Sequence, residues 1–168
     1  AGWANQIKDE PTAQLTVRKK WKFELLDRDP ADPSGFDLQA IPYVGLGLGT
    51  VYRQIEGGGT FRAGWNIPAD FGPAKLGDPA DATAPRTTGT GWGVYGFGRL
   101  GGRVVQHNLF IEGSDFRSGP GVSEEPVVGE AALGASLGYH ADQWALELVY
   151  QQTFLTHEFK TQTSHDAY

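Results

Sequence analysis

Apolar and polar residues alternate with a period of two over several stretches of this chain. The first stretch extends from Ala13 to Leu25, and only Lys19 interrupts its apolar side. The apolar positions are Ala13, Leu15, Val17, Trp21, Phe23 and Leu25, and the polar positions are Gln14, Thr16, Arg18, Lys20, Lys22 and Glu24. Because successive side chains of a β-strand point to opposite faces, this pattern predicts a strand with one apolar and one charged face.

A second alternating stretch extends from Phe36 to Arg53, with Leu46 on its apolar face and Gln39 on its polar face. A third begins with four apolar positions on one face, Phe61, Ala63, Trp65 and Ile67. The second stretch is longer than an ordinary strand of a globular protein, whereas a strand that crosses an outer membrane needs about 9 to 11 residues. The pattern therefore predicts an all-β fold of antiparallel transmembrane β-barrel strands, apolar outside and charged inside.

Two alternating stretches near the end of the chain, 127–140 and 144–157, are predicted to form a hairpin that turns around residues 140–143. Residues 92–112 are also typical of strands, but their glycines blur the phase of the alternation. Gly101-Gly102 is compatible either with a two-residue hairpin turn or with a kink inside one long strand. The sequence therefore predicts six or seven strands.

The composition agrees with a membrane sheet in which only one face of each strand is apolar. Only 39% of the 168 residues are hydrophobic, 24 are glycine, and the mean hydropathy is -0.37. No run of about 18 apolar residues occurs, which argues against transmembrane helices. The chain has no cysteine, and therefore no disulfide and no thiolate metal ligand. Its net charge of -6, with dispersed lysines and arginines, predicts no nucleic-acid partner.

Five basic side chains fall on the predicted polar face: Arg18, Lys20, Lys22, Arg53 and Arg62. We expect a hydrated lumen in which they pair with Glu24, Glu130 or Glu147, because barrel interiors are polar. Four tryptophans lie near the ends of the apolar stretches: Trp21, Trp65, Trp92 and Trp144. They suit an interfacial girdle, although a soluble barrel would bury the same side chains. A soluble lipid-binding barrel of the lipocalin type would need an apolar inner face.

The predicted strands are too few for a closed bacterial barrel, which has an even number of strands from about 8 upward. An open sheet would leave backbone groups unpaired in hydrocarbon. The chain also has no methionine, and its first ten residues do not form a secretory signal. The chain is therefore either a processed mature protein or a fragment, and the strand count favours a fragment: we expect residues 1–168 to be a single, incomplete β-barrel domain.

Several short segments have distinctive sequences. They are GWANQIKDEP at 2–11, NIPAD at 66–70 followed directly by FGP, RVVQHNLFIEG at 103–113, EPVVG at 125–129 and THEF at 156–159. In order and spacing these segments resemble those of the outer-membrane lipid A 3'-O-deacylases. The resemblance covers essentially the whole chain, which would correspond to the C-terminal half or so of a family member.

The resemblance implies a barrel of about twelve strands in the outer membrane of a Gram-negative bacterium. It implies an enzyme that removes the 3'-linked acyl chain of lipid A by calcium-dependent ester hydrolysis, with lipopolysaccharide and outer-membrane lipid as its partners. In that scheme a histidine polarises water, while the cation and nearby donors stabilise the tetrahedral oxyanion. The alternative is a barrel without enzymatic activity, either a passive pore or a structural protein, which the charged lumen also suits.

The catalytic elements of that family are missing from these residues. The family carries an Asn-Asp pair and a Thr on its first two strands, and a helix with a Gln, a His and a Glu just before the segment that matches 2–11. We therefore expect activity in the parent protein, calcium ligands outside this chain, and an inactive fragment. Four polar residues follow the position of that helix and are expected either to line the lipid A site or to anchor the local backbone: Asn5, Gln6, Asp9 and Glu10.

No catalytic or metal-binding set is recognisable among the histidines, which are His107, His140, His157 and His165. None has a Ser, Asp or Glu at the spacing of a catalytic triad or a zinc site. We expect each histidine to be solvated or to face the lumen. The carboxylates within 78–83 lack the glycine and the terminal glutamate of an EF-hand loop, so we assign no metal ligand to them.

Overall fold

The structure, a computed structural model, describes residues 12–26, 35–75, 90–108, 126–141 and 144–156. These residues form one antiparallel sheet of seven strands: β1 (Gln14–Lys20), β2 (Phe23–Glu24), β3 (Phe36–Gly49), β4 (Tyr52–Trp65), β5 (Gly91–Asn108), β6 (Val127–His140) and β7 (Ala145–Leu155). The order across the sheet is β1-β3-β4-β5-β6-β7, and β2 also pairs with β3. The predicted all-β antiparallel fold is confirmed. None of the described residues belongs to a helix long and apolar enough to cross a membrane.

β1 and β2 together form one interrupted strand at the edge of the sheet. The Trp21 N–H donates to the Pro42 carbonyl oxygen at 3.0 Å, and the Leu25 N–H donates to the Leu38 carbonyl oxygen at 2.8 Å. The regular ladder breaks between β1 and β2 because Pro42 has no N–H to donate in return. The first predicted strand is therefore confirmed, with a proline on its neighbour as the cause of its interruption.

A short turn divides the second predicted stretch into two strands. β3 ends at Gly49 and β4 begins at Tyr52, so the turn consists of residues 50 and 51. The turn changes the phase, so odd-numbered side chains of β3 pair with even-numbered ones of β4, as Gln39 does with Arg62 on the inner face. Arg53 is out of phase with these inner positions, and its predicted place on the polar face is therefore wrong.

β5 is a single strand of 18 residues that contains Gly101-Gly102. Gly101 pairs with Gly58 of β4 on one side and with Glu130 of β6 on the other. The two glycines therefore lie within a long strand and do not form a hairpin turn. The predicted hairpin of β6 and β7 is present, with His140 paired to Ala145 beside its turn.

The two faces of the sheet have the reverse polarity of a soluble protein. The outward-facing side chains of Trp21, Leu46 and Leu148 are 42%, 41% and 71% exposed. On the inner face, Gln39 and Arg62 are only 2% and 1% exposed. An exposed apolar face of this extent is suited to hydrocarbon. The predicted orientation of the strands is confirmed, and the lipocalin-like alternative is excluded because the inner face is polar.

Aromatic side chains gather at one end of the sheet, and we call this group the aromatic belt. Trp65 ends β4, Trp92 lies at the start of β5 and Trp144 precedes β7, so antiparallel pairing brings them to the same rim. The neighbouring ring pairs and their centroid distances are Phe36–Trp65 at 4.9 Å, Trp92–Tyr139 at 5.2 Å and Tyr139–Trp144 at 5.6 Å. Such rings are typical of the boundary between hydrocarbon and lipid headgroups. Trp21 lies between β1 and β2, outside this belt.

On the inner face, the ring of Tyr43 lies across glycines of the two neighbouring strands. Tyr43 pairs with Gly58, which pairs in turn with Gly101. A Cβ atom on Gly58 would lie 3.0 Å from Tyr43 Cε1 and would overlap the Leu100 carbonyl oxygen. A Cβ atom on Gly101 would lie 2.6 Å from the Tyr43 hydroxyl oxygen. The absence of side chains at the two glycines therefore provides the space for the ring.

Replacing Leu46 with arginine is expected to impair membrane insertion, because a charge on the lipid face near the middle of a bilayer costs about 2–4 kcal/mol. Thr16→Arg is the matched control, since Thr16 has the inward phase of β1 and lies beside Val17, the partner of Leu46. Insertion into lipid vesicles, measured as protection from an added protease, should fall for Leu46→Arg alone. Equal losses in the two variants would contradict the assignment of the faces.

Gly58→Ala is expected to lower the free energy of unfolding by about 1–3 kcal/mol, the usual cost of forcing extra volume into a packed site. Gly57→Ala is its control, because a Cβ atom at Gly57 would lie 3.7 Å from its nearest neighbour, the Tyr43 carbonyl oxygen. Urea unfolding of the detergent-refolded protein, followed by tryptophan fluorescence, gives both values. If the two variants unfold at the same urea concentration, the ring does not depend on the space at Gly58.

Candidate functional site

After β4 the chain folds back against the inner face of the sheet, and we call residues 66–75 the inner segment. Asn66 begins it with a φ of 47°, a left-handed conformation that asparagine tolerates better than most residues. Its side-chain amide donates to the Trp92 carbonyl oxygen at 3.1 Å. Further along, Asp70 Oδ1 accepts from the Gly72 N–H at 2.9 Å, and Gly72 has a φ of 87°. These two residues with positive φ turn the segment inward.

Ile67 is the apolar anchor of the inner segment. It is 1% exposed and forms a small buried cluster with Tyr95 and Phe97 of β5. The alternation of Phe61, Ala63 and Trp65 predicted that Ile67 would continue their outward face. That position is wrong, because β4 ends at Trp65 and the chain reversal turns Ile67 toward the interior.

The guanidinium of Arg62 binds the inner segment to the sheet. Its Nη1 donates to Asp70 Oδ1 at 2.5 Å, and its Nη2 donates to the carbonyl oxygens of Pro68 at 2.9 Å and Asp70 at 2.8 Å. Its Nε donates to Gln39 Oε1 at 2.6 Å, and the Gln39 amide donates to Asp37 Oδ2 at 2.5 Å. A buried charge needs an opposite charge and hydrogen-bond partners, and these contacts supply both.

Tyr95 extends this network across the sheet. The Arg62 guanidinium lies over the Tyr95 ring, 5.6 Å from its centroid, in the geometry of a cation–π contact. The Tyr95 hydroxyl donates to Glu147 Oε1 at 2.8 Å, and Ser136 Oγ donates to the same oxygen at 2.5 Å. Polar contacts therefore connect β4, β5, β6 and β7 on the inner face.

A second ion pair lies near the other edge of the inner face. Arg18 of β1 donates from Nε to Glu56 Oε1 at 2.8 Å and from Nη2 to the same oxygen at 2.5 Å. The Arg18 guanidinium also lies 5.6 Å from the centroid of the Tyr43 ring. A Cβ atom on Gly45 would overlap the Glu56 carboxylate, so the glycine makes room for the pair. This pair joins β1 to β4 across β3.

The end of the inner segment is held by two further basic side chains. Arg99 Nη2 donates to the Pro73 carbonyl oxygen at 2.5 Å, and Arg99 Nε donates to Thr60 Oγ1 at 3.3 Å. Lys75 forms an ion pair with Glu130 of β6. Together with Arg62, these residues attach the segment to β4, β5 and β6. These contacts fix the backbone of the segment against the inner face.

The partners of the inner cations differ from those that the sequence predicted. Glu24, Glu130 and Glu147 were expected to pair with the basic residues of the polar face, but Arg18 pairs with Glu56 and Arg62 pairs with Asp70. Glu56 was missed because the turn after Gly49 was not recognised, and only that turn places it on the inner face. Asp70 was missed because Pro and Gly mark its surroundings as an ordinary loop. Of the predicted acids, Glu130 does form an ion pair, with Lys75.

The predicted site-lining residues Asn5, Gln6, Asp9 and Glu10 lie outside the residues that the structure describes. His157, His165 and the side chain of His107 also lie outside them. His140 ends β6 and is buried, and neither of its ring nitrogens has a hydrogen-bond partner among the described residues. Of the two expected placements, solvated or facing the lumen, His140 has the second, since it shares the inward phase of the buried Ser136 on β6. The part of the chain that the structure describes contains no group of three or more His, Cys, Asp or Glu side chains placed to hold a metal ion.

Arg62→Met is expected to lower the free energy of unfolding by about 3–5 kcal/mol, because it leaves the Asp70 carboxylate buried without its partner. The double variant Arg62→Met/Asp70→Asn should recover part of this loss, since the uncompensated charge is then removed. Lys19→Met is the control, because Lys19 is an exposed cation on the apolar side of β1. Urea unfolding in detergent micelles measures all three. A loss below about 1 kcal/mol for Arg62→Met would contradict a structural role for the ion pair.

Comparisons with known proteins relate this sheet to one family. A family model described as outer membrane protein LpxR matches residues 1–168. A search among curated proteins gives no match. Among solved structures, the chain is similar to LpxR from Salmonella typhimurium, with a TM-score of 0.70, 18% sequence identity and coverage of 95% of this chain and 50% of that one. The chain thus spans about half the length of the Salmonella protein, and at this identity the likeness concerns the fold. Because the family model matches its whole length, the chain belongs to the LpxR family of outer membrane proteins.

Proposed function

We propose that this chain is part of an outer-membrane enzyme that hydrolyses the ester between lipid A and its 3'-linked acyl chain. The observation that carries the proposal is the family match over residues 1–168. The activity itself comes from the sequence segments, which resemble those of the lipid A 3'-O-deacylases. The exposed apolar face supports it, since a substrate anchored in the membrane must approach the enzyme from the lipid.

The reaction adds water across an ester. The oxygen of water bonds to the acyl carbon, the bond to the sugar oxygen breaks, and the products are a free fatty acid and a sugar hydroxyl. Lipid A is held in the membrane by its acyl chains, so its esters lie close to the headgroup level. In this chain the aromatic belt marks that level at one rim. The apolar outer face is suited to packing against the acyl chains of the substrate.

The proposed contribution of this chain to the site is the polar group formed by Asn5, Gln6, Asp9 and Glu10. These residues precede β1, which begins at Gln14. Amide and carboxylate groups accept hydrogen bonds from sugar hydroxyls, and amides can also donate to phosphate oxygens. We propose that they contact the glucosamine and phosphate groups of lipid A.

Calcium is proposed as the cofactor of the parent protein on the resemblance alone. Ca²⁺ takes about 6–8 oxygen ligands, mainly from carboxylates and carbonyls. On the described inner face, Glu56 and Asp70 are engaged by Arg18 and Arg62, and no three or more acidic or histidine side chains lie together there. The described inner face therefore does not suit the ion.

We further propose that additional strands complete this sheet in a parent protein. Among the described residues, the β1–β2 edge and the β7 edge each have a strand partner on one side only. Unpaired backbone groups in hydrocarbon cost several kcal/mol each, so both edges need partners in the membrane. The N-terminal half of the parent would supply these strands together with the catalytic elements that the resemblance implies. The fragment alone is expected to be inactive.

A passive pore is the second candidate, and the inner segment argues against it. A pore needs a water-filled interior. Arg62 on the inner face of β4 and Ile67 within the inner segment are instead almost fully buried. Arg99 and Lys75 fix the same segment further along the interior. The described interior is therefore filled by protein, which favours the enzyme over the channel.

The test is mass spectrometry of lipid A from Gram-negative cells that express the parent protein. We expect the mass to fall by that of the 3'-linked acyl group, and a calcium chelator to prevent the loss. Asp9→Ala should slow the conversion, whereas Glu24→Gln, which changes an exposed carboxylate of β2, should leave it unchanged. An unchanged acyl pattern from correctly folded protein would refute the deacylase proposal. A steady single-channel current in a planar bilayer, with lipid A intact, would favour the pore.

A further inference from the structure

We propose that the second half of the inner segment opens away from the sheet while its first half stays in place. We call residues 66–70 the fixed half and residues 71–75 the strap. The closed strap covers part of the inner face, and its opening admits water to the side chains beneath it. This movement involves the backbone of the strap alone and does not depend on the proposed ester hydrolysis.

The fixed half is attached to the sheet by apolar packing and by several hydrogen bonds. Ile67 is 1% exposed and packs against two aromatic rings of β5. The Arg62 side chain donates three hydrogen bonds to the fixed half, to the carbonyl oxygens of Pro68 and Asp70 and to the Asp70 carboxylate. Detaching this half would expose Ile67 to water and would separate a buried ion pair, which is costly. The fixed half therefore stays on the sheet.

The strap has weaker attachments to the sheet. Pro73 is buried, but the largest apolar side chain of the strap, Phe71, is 38% exposed. The strap is held by the hydrogen bond from Arg99 to the Pro73 carbonyl oxygen and by the ion pair of Lys75 with Glu130. Few buried apolar contacts are typical of segments that open locally while the rest of the structure remains folded.

Two cavities lie between the strap and the sheet. The first has a volume of about 310 Å³, including its opening to solvent, and Phe71 and Lys75 line it on the side of the strap. The second has a volume of about 220 Å³ on the same measure, and Lys75 and Glu130 line it. The enclosed part of each cavity is only about the size of a water molecule. Such gaps remove packing contacts that would otherwise hold the strap closed.

Buried polar atoms beneath the strap favour its opening. Arg99 Nη1 and Glu130 Oε1 are buried, and neither has a hydrogen-bond partner among the described residues. Each atom is costly while it is buried without a partner, and each gains water as a partner when the strap opens. Opening also breaks the hydrogen bond to Pro73 and the ion pair of Lys75. These gains and losses offset each other, so the closed and open positions are close in free energy.

Gly72 lets the backbone change direction near the start of the strap. Its φ is 87°, and glycine adopts positive and negative φ values with similar ease. A Cβ atom on Gly72 would have its nearest neighbour, Thr60 Cγ2, at 3.9 Å, so the backbone is not crowded there. A few such residues at the end of a fixed element are enough to absorb the dihedral changes of a moving segment.

The experiment is electron paramagnetic resonance of a nitroxide label on the intact protein in detergent micelles. The chain has no cysteine, so Ala74→Cys places one label on the strap and Ala69→Cys places one on the fixed half. Glu130→Gln removes the ion pair with Lys75. It should raise the ratio of mobile to immobile label at position 74 by about fivefold and leave position 69 unchanged. Glu24→Gln is the matched control, because Glu24 is an exposed carboxylate of β2, and it should change neither label.

Lys75→Gln removes the same ion pair from the side of the strap, which keeps the test decisive if Glu130→Gln does not fold. It should raise the mobile fraction at position 74 in the same way. Unchanged mobility at position 74 in both variants would overturn the proposal. Equal increases at positions 69 and 74 would overturn it as well, since the inner segment would then detach as one unit. Because label mobility is measured and not deacylation, failure here is distinguishable from failure of the proposed function.

Discussion

The buried cations of the inner face must be satisfied by protein atoms, and this requirement determines the path of the inner segment. Arg62 reaches the carbonyl oxygens of Pro68 and Asp70 as well as the Asp70 carboxylate, and Arg99 reaches the Pro73 carbonyl oxygen. Desolvating a guanidinium is tolerable only with such a set of acceptors. The segment is therefore held by the sheet's own charges, and the interior is organised by hydrogen bonds where a soluble domain would use an apolar core.

Aromatic side chains of the inner face lie beside glycines of neighbouring strands, and this pairing of large and small residues fills the space next to the polar network. Tyr43 occupies the space above Gly58 and Gly101, and a Cβ atom on Gly134 would lie 2.5 Å from Cζ of Phe97. Each aromatic ring thus lies over a glycine of an adjacent strand, as is common in small barrels. The outer face needs no such matching, because lipid tails adapt to whatever apolar side chains they meet. Specific packing is therefore concentrated on the inner side, where the polar network also lies.

Much of the fold was predictable because a period of two is a local property of the chain. The orientation of Leu46 and Gln39 followed directly from the alternation, and so did the β6–β7 hairpin. Errors arose wherever the phase depended on a turn. The unrecognised turn after Gly49 misplaced Arg53 and concealed Glu56, and the reversal at Asn66 turned Ile67 from the outer face to the interior.

The candidate site was less predictable, for a different physical reason. The partners of Arg62 and Arg99 include backbone carbonyls, which any residue type provides, so the sequence carries no signal for them. The ion pair of Lys75 with Glu130 joins residues far apart in the chain. The family resemblance, by contrast, rested on several segments in register, and the family match over residues 1–168 confirms it.

The length of β5 has a consequence for the shape of the protein at the membrane. β5 has 18 residues, whereas about 9–11 tilted residues suffice to cross the hydrocarbon. The surplus extends beyond the hydrocarbon into the aqueous layer, where pairing with β4 and β6 keeps it part of one hydrogen-bonded sheet.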